Sequence, residues 1–256
     1  MGETKVTIAT RNPKVLYQTV KLLESLEVGF SVCNPGDSEC DTANVVITTE
    51  DEAWSAIDSR IVKVGPDPDP DLTAIEVKMR LLGIKRPSIT AIGVDPGMRI
   101  GLAITMDGRP VHTKTVSSPV EAAKLTLDWL YHVTKKYSEG ETLVRVGTGS
   151  PLYSVLYLRG ILGKITATRI ELVNEHHTTV GGGADSDQSS ATIIASRHGR
   201  VPSGSDILIE PKEEYVRSLK QLFARLTDGR RSLTTGRARS VLTGGTSLEK
   251  LLDDSN

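Results

Sequence analysis

The order of strands and helices between residues 89 and 197 constrains the fold of this 256-residue chain more than any other feature. Three apolar, strand-like runs come first, at residues 89–94, 100–105 and 111–116. Asp107-Gly108, between the second and the third run, is a signal for a two-residue hairpin turn. Three strands joined by short turns predict an antiparallel meander.

Helices and strands alternate after the meander. Ser118 and Glu121 form a capping box around Pro119, which predicts the start of a helix. The elements that follow are a strand at 143–146, a helix at 152–162, a strand at 170–173 and a helix at 187–197. Because a helix joins the last two strands, we expect them to be parallel. The order βββαβαβα therefore predicts an α/β fold with a mixed five-stranded sheet.

Residues 1–87 predict a smaller α/β unit. A strand at 6–9 precedes a helix at 13–26, with Asn12 as the N-cap and Pro13 at the first helical position. Further strands are expected at 30–33, 45–48 and 61–64, and further helices at 53–57 and 71–82.

The run Asp67-Pro-Asp-Pro-Asp71 has two interpretations. It is either a carboxylate cluster for a metal ion or an extended linker in which Asp71 caps the next helix, and we favour the linker. Gly83 and Arg86-Pro-Ser then mark a helix end and a boundary. We predict three domains: residues 1–87, of unknown role, residues 88–200, and a basic helical or flexible extension at 201–256.

Composition excludes several protein classes. No apolar run approaches the roughly 18 residues that span a bilayer, and the N-terminus lacks the pattern of a signal peptide. We therefore expect a soluble, cytoplasmic protein that does not contact membranes.

Cys33 and Cys40 are the only cysteines, too few for a disulfide scaffold or a four-cysteine zinc site. We expect both to be free thiols in a reducing compartment.

Charge is distributed unevenly although the net charge is only −1. Residues 37–76 hold eleven acids and two bases, whereas residues 217–239 hold seven bases and one acid. Such asymmetry can polarise a surface. Aromatic residues make up 4% of the chain, too few for a surface that binds single strands mainly by stacking bases.

Three carboxylates stand at the ends of predicted elements. Asp95 ends the first strand of the meander, although Asp-Pro-Gly is also typical of a type II turn. Glu175 follows the last predicted strand. Asp187 is at the first turn of the helix face that packs on the sheet, a face continued by Ala191 and Ala195. Asp185, in a glycine-rich loop, can substitute for Asp187 or assist it.

These acids can converge only if their elements are neighbours in one sheet layer. Their mutual repulsion would then require cations, and Mg²⁺ bound by a few carboxylates and substrate phosphate is a common solution. Two such ions about 3.5–4 Å apart orient a water molecule and stabilise the leaving oxygen of a phosphodiester. The pattern therefore predicts phosphodiester hydrolysis that depends on Mg²⁺ or Mn²⁺.

Four segments resemble motifs of RuvC and YqgF proteins, the Holliday junction resolvase branch of the RNase H-like superfamily. They are Ile92-Gly-Val-Asp-Pro-Gly-Met-Arg-Ile-Gly-Leu-Ala-Ile, Val146-Gly-Thr-Gly-Ser-Pro, Leu172-Val-Asn-Glu-His-His-Thr-Thr and Asp187-Gln-Ser-Ser-Ala-Thr-Ile-Ile. The resemblance covers about residues 89–198. It implies an RNase H-like fold in which Asp95, Glu175 and Asp187 are the catalytic, metal-binding acids.

The chain also departs from these families. RuvC has an acid on its fourth strand where this chain has Gly147 and Thr148, so the arrangement looks closer to YqgF. His176 stands where YqgF has arginine. Either His176 or His177 is then a candidate to orient the water or contact the phosphate, unless both have a surface or packing role.

The basic C-terminal segment lies outside the resemblance. Its arginines can contact phosphates and strengthen binding by releasing counterions. These candidate nucleic-acid-binding residues are Arg225, Arg230, Arg231, Arg237 and Arg239. A solvated, partly disordered tail is the alternative interpretation.

The resemblance implies an endonuclease of DNA recombination and repair that acts on branched DNA. A YqgF-like nuclease that processes precursor ribosomal RNA is the nearest alternative, with structured RNA as its substrate. A non-catalytic nucleic-acid-binding module is a further possibility, as is an actin-like phosphotransferase, which would need a second lobe. Because symmetric cutting of a junction needs two active sites, we also expect a homodimer.

Overall fold

A computed structural model of the chain describes residues 6–54, 59–165, 168–174 and 186–253. The chain divides into two compact units, Met1–Pro87 and Ser88–Asn256. None of the described helices is both long enough and apolar enough to cross a membrane.

The described residues of the first unit form a four-stranded, fully parallel sheet with two α-helices. Its elements are β1 (Val6–Ala9), α1 (Pro13–Ser25), β2 (Phe30–Cys33), β3 (Val45–Thr49), β4 (Ile61–Val64) and α2 (Pro70–Leu81). The strand order is β2-β1-β3-β4. Apolar side chains of β1, β3 and β4 pack with those of α1 and α2 to form its main core.

Local signals in this unit act largely as the sequence predicts. The Asn12 side chain accepts hydrogen bonds from the backbone N–H groups of Lys14 and Val15, which confirms it as the N-cap of α1. The cap of α2 lies two residues earlier than the sequence predicts. Asp69, not Asp71, accepts from the N–H of Leu72, because Pro70 takes the first helical position. The predicted helix at 53–57 falls mostly outside the described residues.

The prediction of free thiols is wrong in this structure. Cys33 and Cys40 form a disulfide, with their Cα atoms 6.1 Å apart. The short 3-10 helix Ser38–Thr42 folds back after β2, and this turn brings the two side chains together.

The second unit contains the predicted alternation. Its elements are β5 (Ile89–Asp95), β6 (Ile100–Met106), β7 (Arg109–Val116), α3 (Pro119–Lys136), β8 (Glu141–Gly147), α4 (Pro151–Ile161), β9 (Arg169–Val173), α5 (Ser186–Ser196), α6 (Glu213–Leu226), α7 (Thr235–Leu242) and α8 (Leu248–Asp253). The sheet order is β7-β6-β5-β8-β9. Strands β7, β6 and β5 are antiparallel, and β5, β8 and β9 are parallel, which confirms the predicted mixed sheet.

The hairpin turn and the start of α3 both involve the residues that the sequence indicates. Asp107 and Gly108 have φ angles of 49° and 76°, as a two-residue hairpin turn requires. Ser118 caps α3 by accepting from the N–H of Glu121. The other half of the predicted capping box differs, because the Glu121 carboxylate accepts from the N–H of Ser117 instead of Ser118.

Helices cover both faces of the five-stranded sheet. Successive residues of a strand point to opposite faces, and on β7 these residues contact different helices. The Thr113 hydroxyl donates a 2.6 Å hydrogen bond to Gln188 of α5, whereas the His112 ring lies 5.5 Å from that of Trp129 on α3. Helix α5 therefore packs on one face and α3 on the other.

The helices after residue 212 belong to the core of the second unit. Apolar side chains of α6, α7 and α8 pack with Leu152, Tyr153 and Leu156 of α4. The Arg159 guanidinium also joins these segments, by donating to the backbone carbonyls of Ile207, Val241 and Leu242. Burial lowers the pKa of Arg159 from its ordinary value. In the described part of the chain, this region is an ordered helical layer.

Candidate functional site

Asp95 lies at the carboxyl end of β5, the central strand of the five-stranded sheet. The strand before it is buried, whereas Asp95 itself is only half-buried. Its register partner on the neighbouring antiparallel strand β6 is Gly101. The carboxylate is thus placed where the sheet meets solvent.

The first turn of α5, which carries Asp187, packs on Gly101 at the same end of the sheet. A Cβ atom at position 101 would overlap the backbone carbonyl of Asp187, so the first turn of α5 lies directly against the Gly101 backbone. Asp95 faces the same glycine across the strand pair. Asp95 and Asp187, predicted to be partners from positions 92 residues apart in the sequence, therefore flank Gly101.

A second glycine continues this close approach. A Cβ atom at Gly93 would collide with the backbone of Ala191 and of Ala195, both of which are buried on α5. Ala191 and Ala195 lie on the predicted packing face of α5, and their small side chains allow this close approach. Sequence reasoning missed the glycines on the other side of the contact, although a glycine inside an apolar strand is itself a signal for close backbone approach.

A buried ion pair holds the opposite end of α5. Arg145 of β8, 6% exposed, donates from Nε to Glu171 of β9 at 2.8 Å and from a terminal nitrogen to the Ala195 carbonyl at 2.6 Å. Burial raises the pKa of Glu171, but the hydrogen bond and charge of Arg145, the hydrogen bond from the Gly199 N–H and the charge of Arg169 together hold it below its ordinary value. This network was also missed, although an arginine within an apolar strand is a signal for a buried partner.

Arg99 lies beside Asp187 and is largely exposed to solvent. Its Nε is 3.3 Å from the Asp187 carboxylate, and its side chain is 59% exposed. It belongs to the short loop 96–99 that leaves Asp95 and leads into β6. Sequence reasoning includes this residue within a motif and assigns it no role.

The remaining predicted catalytic and metal-binding residues lie outside the described residues. They are Glu175, His176 and Asp185, together with the alternative His177. The last described residue before them is Asn174, which follows β9, and parallel β5, β8 and β9 end at the same sheet edge. Within the described ranges, no group of three His, Cys, Asp or Glu side chains is arranged to hold a metal ion.

Arg225 is used within the protein fold. Its guanidinium donates to the carbonyls of Met98 and Ser117, each at 2.8 Å. These bonds tie α6 to the loop that follows Asp95. Arg225 is thus next to the candidate site, with two backbone carbonyls as its partners.

The other four candidate arginines differ in their hydrogen-bond and ion-pair partners. Arg231 donates to the carbonyls at the end of α8 and lies 5.0 Å from the centre of the Phe223 ring. Arg239 pairs with Glu213, and Arg230 forms an exposed pair with Asp228.

Arg237 is exposed on α7, and its guanidinium contacts no hydrogen-bonding or acidic group of the described part. Of the five, Arg237 has the side chain most available to an external phosphate.

Comparison with known proteins does not assign the chain to a family. No protein-family model matches it, and no curated protein matches it at a significant level. The chemistry of the site and the resemblance of short motifs are therefore the basis for assigning a function.

Proposed function

We propose that the second unit is a metal-dependent endonuclease that hydrolyses phosphodiester bonds of structured nucleic acid. Branched DNA of the four-way junction type is the first candidate substrate. The observation that carries the proposal is the placement of Asp95 and Asp187 on either side of Gly101 at the end of the central strand. Both residues are carboxylates at one end of the sheet, and carboxylate oxygens are the ligands that hard divalent cations prefer.

The topology supports an RNase H-like interpretation of this unit. Three antiparallel strands, followed by two parallel strands on the other side of β5, are consistent with the fold that the RuvC and YqgF motifs imply. The close packing of α5 supports the assignment of its first turn to the site. Symmetric cleavage of a junction would in addition require a homodimer.

The described donor set fits Mg²⁺ or Mn²⁺. Both side chains supply carboxylate oxygens, and Mg²⁺ is commonly held by one or two carboxylates together with substrate phosphates. When bound, such an ion polarises a phosphate oxygen. We assign Asp95 and Asp187 as its ligands, with Glu175 and Asp185 as candidates to complete the set and His176 as a candidate to orient the attacking water.

Replacing one acid by its amide tests this assignment. We expect Asp95→Asn to lower cleavage of a synthetic four-way junction in Mg²⁺ by on the order of 100-fold or more, because it removes a ligand charge. Glu249→Gln is the matched control, since Glu249 is an exposed carboxylate paired with Lys164. Unchanged cleavage by Asp95→Asn would reject the proposed role. Junction binding by the wild-type protein without hydrolysis in Mg²⁺ or Mn²⁺ would instead favour a non-catalytic binding module.

An RNA-processing nuclease is the second candidate, and one observation favours it. Strand β8 ends at Gly147 and Thr148 follows it, at the place where RuvC has an acid and YqgF has none. Thr148 donates its N–H and its hydroxyl to the Val173 carbonyl, so its side chain has a structural partner. Cleavage of a structured RNA with the same dependence on Asp95, and no cleavage of the junction, would select this alternative.

A further inference from the structure

Arg99 has more hydrogen-bonding capacity than the protein uses. Its Nε faces Asp187 at 3.3 Å, and this is the only ion pair or hydrogen bond of its guanidinium with the described part of the chain. A guanidinium carries five N–H donors in a planar fork. Four donors beside Asp187 therefore have no described acceptor.

The contact between Arg99 and Asp187 is of a kind that is easily exchanged. It involves one nitrogen and one oxygen, and the arginine is 59% exposed, so water and salt screen the attraction. A divalent cation carries twice the charge and can approach a carboxylate oxygen at about 2.0–2.1 Å. A cation at Asp187 would thus replace the arginine as the neutralising charge.

We propose that Arg99 binds the substrate phosphate at this site, and that it neutralises Asp187 while no metal ion is bound. The inference rests on the proposed nuclease function. Binding of the cation releases the guanidinium, which then donates to the oxygens of a phosphodiester at the same site. Arginine suits this role because its fork matches two phosphate oxygens at once.

The backbone that carries Arg99 is held in place. The Met98 carbonyl accepts a 2.8 Å hydrogen bond from Arg225, which also binds the Ser117 carbonyl. On its other side, Arg99 precedes β6, whose first residue, Ile100, is fully buried. The exchange between Asp187 and phosphate therefore requires movement of the Arg99 side chain alone.

The test is a pair of measurements on Arg99→Gln that should change in opposite directions. We expect the affinity for Mn²⁺, measured from the electron paramagnetic resonance signal of the free ion, to rise about two- to five-fold. We expect the affinity for a synthetic four-way junction in Ca²⁺ to fall about ten-fold, because a charge-assisted hydrogen bond is lost. A purely structural role would weaken both.

Two further variants complete the design. Arg99→Lys keeps the charge without the fork, so its Mn²⁺ affinity should stay near that of the wild type while junction binding recovers only in part. Lys164→Gln removes a positive charge from an exposed ion pair with Glu249 and should change neither quantity. Circular dichroism melts should show that all variants fold like the wild type.

The possible outcomes separate this inference from the proposed function. Mn²⁺ binding that is equal in the wild type and Arg99→Gln would overturn the role of Arg99 and leave the nuclease proposal standing. A parallel loss of both affinities would also overturn it. Failure of the wild type and every variant to bind Mn²⁺ would reject the metal site, and the inference with it.

Discussion

Two glycines determine how closely α5 approaches the sheet. At Gly93 and Gly101 the missing side chains leave room for the helix backbone, and at Gly101 that backbone belongs to Asp187. The position of Asp187 thus depends on the absence of a side chain at Gly101. Asp95 is opposite Gly101 on the neighbouring strand, so it lies one strand spacing away from the same glycine.

Gly101→Ala tests this close approach. The added methyl group would meet a backbone carbonyl, which cannot rotate away, so we expect a loss of roughly 1–3 kcal/mol in the free energy of unfolding and weaker Mn²⁺ binding. Gly236→Ala is the matched control, because Gly236 lies in α7 with no heavy atom within 4 Å of an added Cβ. The control should gain about 0.5–1 kcal/mol. Denaturant unfolding measures both, and equal stabilities of the two variants would contradict the proposed crowding.

At the scale of elements, α5 is fixed at both ends. Its first turn lies on Gly101, and its last turn accepts a hydrogen bond from Arg145 through the Ala195 carbonyl. Arg145 is in turn neutralised by Glu171 on the neighbouring strand, and Arg169 also contacts Glu171 at 2.8 Å. These contacts hold the last turn of α5 against strands β8 and β9. They therefore help to position the helix that carries Asp187.

Stability should depend on the ionisation of Glu171. Its pKa in the folded state lies below the ordinary value of 4.5, so the folded protein binds this proton less readily than the unfolded chain does. The contribution of the ion pair is therefore present above about pH 4.5 and is lost as pH falls through the lower, folded-state pKa.

We expect Glu171→Gln to lower the free energy of unfolding at pH 7 by about 3–5 kcal/mol, because it leaves Arg145 buried without its partner. The difference from the wild type should shrink as pH falls below 4.5. Urea unfolding at several pH values measures this, with Glu249→Gln as the exposed-carboxylate control. A difference that stays constant with pH would show that the lost contribution is not electrostatic.

At the scale of the whole molecule, each unit has its own sheet and core, and the candidate site belongs entirely to the second unit. The basic C-terminal segment packs on α4 through apolar side chains, so most of its arginines have partners within the protein. Charge counted along the sequence therefore overstates the charge available to a nucleic acid.

The salt dependence of junction binding distinguishes an arginine that contacts phosphate from one that only stabilises the fold. A phosphate contact contributes about 0.9 to the slope of log K against log salt concentration. We expect Arg237→Gln to reduce the slope by about this amount, because its guanidinium is available to solvent. Arg225→Gln should leave the slope unchanged and lower the melting temperature, since Arg225 binds two backbone carbonyls. The reverse result would assign the phosphate contact to Arg225.

Features that act over a few residues could be predicted from the sequence. Asn12 and Ser118 cap their helices, Asp107-Gly108 forms the hairpin turn, and helix α4 makes β8 and β9 parallel, as expected. Each of these depends on neighbours along the chain. The α/β class and the order of elements followed from them.

Only the tertiary structure decided which distant groups meet. Gly101 contacts Asp187, Arg145 binds Glu171 and the Ala195 carbonyl, and Arg225 binds the Met98 carbonyl across 127 positions of sequence. Periodicity and capping carry no information about such pairs, because these contacts arise when elements pack. The sequence thus determined the elements and pointed to the two acids, whereas packing of α5 against two glycines placed Asp187 at the end of the sheet where Asp95 lies.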